Sequence, residues 1–374
     1  MVAPLAESVP PTLYGGTERV VSALTEELVR RDHEVTLFAS GDSQTNATLV
    51  SCVPRGLRLN PEILDEVAPT MIELGEVYSR AAEFDIIHNH VDYFGFPFAR
   101  LVTTPTITTT HGRLDLPEVL RVYATFPEQR LVSISRSQRN YLPDANWVTN
   151  VYNGIDVPSF HFRPDPGKYL AFVGRISPDK RVDRAIEIAR DIGMPLVIAA
   201  KVATTDRDYF THAIEPLIRR SKLIEFVGEV NESQKDELMG GAYATLFPID
   251  WPEPFGLTMI ESMATGTPVI AYRAGSVSEV VVDGVTGFIC DSVKAMVEAI
   301  PRIASLDRRA SRRHVERKFS AAPMASGYEA AYSLVVEEPS ATTTEPRAEK
   351  RSELTLVPTD GGALSPTPIP PLIT

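Results

Sequence analysis

The hydrophobic pattern of this chain begins twice. In the first half, "HEVTLFAS" (33–40), "FDIIHNH" (84–90), "TPTITTTHG" (104–112) and "RLVSISRS" (130–137) are short β-branched runs that end in polar residues, and they read as strands. "TERVVSALTEELVRR" (17–31) sets Val20, Val21, Leu24, Leu28 and Val29 on one helical face. At "KYLAFVGRI" (168–176) the alternation starts afresh with a buried strand, followed by a helix over 181–193 closed by Gly193. "PLVIAAKV", "LIEFVGEV", "YATLFPI", "TPVIAYR" and "TGFIC" follow as further strands. Strands alternating with helices mean a parallel sheet covered on both faces. Two such doubly wound α/β halves, joined near 153–167, would face each other across a cleft. Ligands bind at the carboxyl ends of parallel strands, so both halves would aim loops at that cleft.

The 374 residues suffice for two Rossmann-like domains with their own cores. The composition, 43% hydrophobic and 23% charged, is that of a soluble protein, and the net charge of -12 argues against a nucleic-acid partner. Cys52 and Cys290 lie far apart in sequence and form no disulfide framework, which suits a reducing cytoplasm. Apolar runs such as "MPLVIAA" fall short of the roughly 18 residues of a membrane span. No basic region followed by an apolar core opens the chain, so no signal peptide is expected. "MVAPLAE" reads as the second half of a buried first strand, and a start lacking several residues would weaken that strand's place in the sheet. From 337 onward, seven prolines and no helical or strand period predict a disordered tail, with a partner-binding proline segment as the alternative.

Three loops carry candidate chemistry. Tyr14, Gly15 and Gly16 follow the first strand and open the first helix, where glycines let a ligand approach the backbone. Gly174 ends the first strand of the second half, and Arg175 and Lys180 project from the loop that follows. Cations at a helix start oppose its dipole unless an anion lies between them. In "WPEPFGLTMIESMATGTPVI", Pro252 and Pro254 keep Glu253 ahead of the helix, whereas Glu261 lies on it. Phe255, Gly256 and Leu257 would offer free backbone N–H groups as an anion cradle. Taken one at a time, Glu253 also reads as a helix-capping carboxylate and Glu261 as part of a solvated face.

Together these segments resemble glycosyltransferase family 4. "PEPFGLTMIE" is similar to the two-glutamate signature of that family, and "LYGGTERVV", "TTTHG", "VYNGID", "FVGRISPDK", "EFVGEV" and "GTPVIAYRAGSVSEVVVDGVTGF" fall in the family's order over about 1–335. The resemblance implies a GT-B fold, with two Rossmann-like doubly wound domains facing an interdomain cleft. It divides the chain into an acceptor-side domain, 1–162, and a donor-nucleotide domain, 163–322, with a last helix (323–336) returning to the first domain. It also implies a retaining enzyme that uses a nucleoside-diphosphate sugar. Arg175 and Lys180 resemble the pair that holds the diphosphate, Glu261 the carboxylate for the ribose, and Glu253 the one for the sugar hydroxyls. His111 resembles the histidine beside the donor sugar. Gly15, Gly16, Gly174, Val230, Phe255, Gly256 and Leu257 fall among the donor contacts.

The expected reaction is transfer of the sugar to an unidentified carbohydrate, lipid or small-molecule acceptor. Arg175, Lys180 and a helix start would stabilise the leaving diphosphate without a metal ion. No residue is an obvious nucleophile on the opposite face of the sugar, so the resemblance favours front-face substitution. A non-catalytic sugar-nucleotide-binding scaffold and an epimerase or hydrolase of the same fold are the competing readings. A Rossmann oxidoreductase is disfavoured, because no G-x-G-x-x-G follows the first strand. His88 and His90 share one strand face but imply no third metal ligand, and "DRD" (206–208) reads as helix capping. The basic stretch 308–319 reads as a solvated helix face or as a docking face for an anionic membrane at the cytoplasmic side.

Overall fold

The computed structural model of the protein describes residues 1–60 and 62–337. The first half contains strands β1 (Thr36–Ser40), β2 (Thr48–Val53), β3 (Ile87–Asn89), β4 (Thr106–Thr110), β5 (Arg130–Ser133) and β6 (Trp147–Asn150). Every pairing among them is parallel. Val2 bridges Phe38 of β1 and Asn89 of β3, which joins the two groups into one sheet in the order β2, β1, Val2, β3, β4, β5, β6. The expected first strand is therefore present in the middle of the sheet but very short. Pro4 has no N–H to continue the ladder. Strands β2 and β6 carry no sequence expectation. Both lie at sheet edges with half-buried or exposed residues, so neither shows a continuous apolar run.

The helix Gly16–Arg30 buries Val20, Val21, Leu24 and Leu28, as its spacing predicts. The helix Ala321–Glu337 returns to this half, and its Met324, Tyr328 and Val335 share one core with Val20, Leu24, Ile107 and Val132.

The second half builds a six-stranded parallel sheet from β7 (Leu170–Arg175), β8 (Leu196–Lys201), β9 (Ile224–Gly228), β10 (Ala244–Phe247), β11 (Val269–Tyr272) and β12 (Gly287–Cys290). Its order is β12, β11, β10, β7, β8, β9. The chain leaves β7 to one side and later returns to β10 on the other, so the switch point opens beside the carboxyl end of β7. Gly193 closes the helix Val182–Ile192 at φ 67°, as expected.

The basic stretch forms the helix Arg308–Lys318, which packs its Val315 into the core beside the helix Leu257–Ala264. Arg308 is buried and donates to the carbonyls of Arg163, Ala242 and Gly240 at 2.9–3.2 Å, while Arg309, Arg313 and Arg317 stay exposed. Among the described residues no helix is long and apolar enough to cross a membrane. Glu337, the first residue of the expected tail, ends the helix Ala321–Glu337, and the rest of the tail reading, 338–374, lies outside the described residues.

Candidate functional site

A cavity of about 410 Å³ lies where the two sheets aim their loops, and both halves line it. Every residue selected from the sequence reaches it except Arg175. Gly15, Gly16 and His111 come from the first half, and Gly174, Lys180, Val230, Glu253, Phe255, Gly256, Leu257 and Glu261 from the second.

Two glycines shape the approach. A Cβ on Gly16 would stand 3.5 Å from Leu257 Cδ1, so a longer side chain there would push the halves apart. Gly256 adopts φ 82° as it opens the helix Leu257–Ala264, and a Cβ there would lie 2.9 Å from the Phe247 ring. No side chain caps that helix start, which leaves its first N–H groups for a ligand.

The two glutamates are neither capping nor solvated. Glu253 is 8% exposed and Glu261 4%. Lys180 Nζ and Trp251 Nε1 both donate to Oε2 of Glu253, the latter at 3.0 Å. Lys235 Nζ donates to Oε1 of Glu261, and Arg19 Nε lies 3.4 Å from the same oxygen. Burial raises the Glu261 carboxyl pKa, but Lys235 and Arg19 outweigh it and hold the carboxyl below its ordinary value. In both residues the second oxygen accepts no hydrogen bond from the described residues. Each carboxylate is thus anchored on one side and open on the other.

His111 follows β4. Its backbone N–H donates to Asp92 Oδ1 at 2.8 Å, and its Nε2 lies 2.9 Å from Nδ1 of His90. Burial lowers the His111 pKa to about 3, so the ring is neutral at pH 7. Burial pushes Asp92 up to about 6 against the pull of the His111 and Gly112 N–H groups. The histidines of "HNH" are not poised for a metal. The His88 nitrogens bond Tyr332 Oη and Thr109 Oγ1, each at 2.7 Å, and His90 braces His111.

Arg175 is not among the residues lining the cavity. It sits 3.6 Å from Asp179 and 3.7 Å from Asp206. Asp206 forms no capping hydrogen bond, contrary to the "DRD" expectation.

Several lining residues carry no sequence expectation: Arg19, Lys235, Glu18, and a clasp across the cleft. In that clasp Arg58 binds Glu7 and lies 3.0 Å from Glu229 Oε1, which also accepts from Tyr14 N at 2.9 Å. The Asn231–Gln234 capping box announces the helix Glu232–Gly240 that carries Lys235. Nothing local announces that Lys235 points inward.

Glu18 is 5% exposed, and burial raises its pKa from 4.5 to about 7. The folded protein keeps this proton where the unfolded chain has lost it, so stability falls as pH rises from 4.5 to about 7. Glu18→Gln is expected to gain up to about 3 kcal/mol relative to wild type between about pH 4 and about pH 8. Urea midpoints at the two pH values check this, and parallel pH profiles would show an unshifted carboxyl.

Residues 14–158 match "Glycosyltransferase Family 4" and residues 157–318 match "Glycosyl transferases group 1". The glycogen synthase of Mycobacterium tuberculosis is 24% identical over 334 residues, covering 75% of this chain and 80% of that one. Sucrose-phosphate synthase from Thermosynechococcus elongatus superposes with a TM-score of 0.73 at 18% identity, over 89% of this chain and 97% of that one. The Anabaena HepE protein in complex with UDP and glucose gives 0.69 at 17% identity, over 86% and 96%. With both halves matched in order across 14–318, the chain belongs to glycosyltransferase family 4 and is a glycosyltransferase of the GT-B fold.

Proposed function

We propose that the protein moves a sugar from a nucleoside-diphosphate sugar held in this cavity to an acceptor, with retained anomeric configuration and without a divalent metal. One observation carries the reading: Glu253 and Glu261 line one cavity, each with one oxygen anchored and the other open to a hydroxyl. The UDP and glucose bound by HepE are the donor type we assign by likeness. Residues 1–162, with the helix Ala321–Glu337, would form the acceptor-side domain, and 163–322 the donor domain.

In this reading Glu261 takes the ribose hydroxyls and Glu253 those of the sugar. Negative charge grows on the diphosphate as the anomeric bond breaks. Lys180 and the uncapped start of the helix Leu257–Ala264 supply fixed positive charge to it. Arg175 joins them by leaving Asp179 and Asp206. Both contacts exceed hydrogen-bond length, so the exchange costs little. His111, being neutral, positions the sugar without setting positive charge against the oxocarbenium-like centre. The leaving phosphate accepts the acceptor's proton on the same face.

Labelled UDP-glucose, ADP-glucose and GDP-mannose, offered with candidate acceptors, test the reading by product analysis. A glycoside of retained configuration that still forms in EDTA is expected. A free epimer or hydrolysed sugar as the only product would overturn transfer. Loss of turnover in EDTA, restored by Mn²⁺, would overturn metal independence.

A further inference from the structure

We propose that Arg19 is a positioning residue for the donor: from the opposite half of the molecule, it orients Glu261 toward the ribose hydroxyls. The inference rests on the reading of Glu261 as the ribose carboxylate. Three helices meet at this point. Arg19 lies in the first turn of Gly16–Arg30, Glu232 opens Glu232–Gly240 with Lys235 one turn on, and Glu261 lies in Leu257–Ala264. Their charges alternate in the order Glu232, Arg19, Glu261, Lys235. Arg19 Nη1 stands 2.6 Å from Glu232, and Arg19 Nε stands 3.4 Å from Glu261 Oε1.

The chemistry of the guanidinium suits the place. Separate N–H groups serve two carboxylates at once, which a lysine ammonium on the same stem cannot match in geometry. Arg19 is 8% exposed, so water screens the pairing little. Both Lys235 and Arg19 address Oε1, which leaves Oε2 as the only oxygen able to meet a diol. The 3.4 Å contact is longer than the roughly 2.7–2.9 Å of a charge-assisted hydrogen bond, so a small further approach of the halves would tighten it. Ribose binding and cleft closure are then linked, each favouring the other.

Calorimetric titration with UDP, ADP and GDP and with their 2′,3′-dideoxy forms reads this link. Wild type should prefer the ribo form of its nucleotide by roughly 10- to 150-fold, the scale of a charged hydrogen bond. Arg19→Ala should shrink that preference to about threefold or less, with dideoxy affinity held within about twofold. Arg19→Lys keeps the buried charge and the fold but loses the fork. It should lie between wild type and Arg19→Ala. Equal weakening of both forms, or an undiminished preference in both variants, would overturn the positioning role and leave Glu261's role intact. No preference in wild type would overturn the ribose reading itself, and this inference with it.

Discussion

Lys180→Met is expected to lower kcat by about 10²- to 10³-fold, the scale of losing one preorganised donor to a developing charge. The donor KM should change far less, because the diphosphate of the bound donor is less charged at the bridging oxygen than the departing one. The neighbours make the site specific to an ammonium. Its Nζ sits 4.9 Å from the Trp251 ring centroid and 5.9 Å from that of Phe247, and it bonds Glu253. Arg19 and Lys235 are committed to Glu261, and Arg58 to Glu7 and Glu229. Lys201 lies under the Tyr14 ring at 5.5 Å. Arg19, Lys235 and Arg58 are therefore not free to replace Lys180. Steady-state rates with saturating donor check the prediction, and a kcat within about threefold of wild type would remove Lys180 from the leaving group.

The largest stability effect is expected at Lys235. Lys235→Met strands Glu261, which is 4% exposed and keeps only the 3.4 Å contact to Arg19. Breaking a buried pair from one side costs about 3–5 kcal/mol. The double variant Lys235→Met, Glu261→Leu removes both charges and should recover most of that loss. Arg19 keeps Glu232 at 2.6 Å in the double variant, so no buried cation is orphaned. Chemical denaturation of wild type, both single variants and the double variant closes the cycle. A single-variant loss below about 1 kcal/mol would mean that water reaches the pair.

The doubly wound halves were legible because buried parallel strands write long apolar runs, and β7 and β8 do so plainly. Edge strands β2 and β6 do not, since half their residues meet solvent. Two prolines and a glycine marked where the helix begins, but Glu253 and Glu261 were singled out as a pair by their resemblance to the two-glutamate signature, since each alone also reads as a cap or a solvated face. Arg19 and Lys235 were not, because in one dimension each resembles a charge on a solvent face. Only the meeting of three helices turns them onto one oxygen. The acidic partners of Arg175 were hidden for a related reason. The cation was visible in its loop, but its competition with Asp206, 31 positions later, is a property of packing.

The returning helix Ala321–Glu337 has a consequence for synthesis. Residues 1–150 emerge from the ribosome first, yet Val20, Leu24, Ile107 and Val132 lack their cover until Met324, Tyr328 and Val335 arrive. The first half therefore spends the translation of the entire second half with part of its core open to solvent. The second sheet draws its six strands from 170–290 and can close before that last helix appears. The order of completion is thus the reverse of the order of translation. A chain released before residue 321 would expose an apolar groove suited to aggregation or chaperone capture.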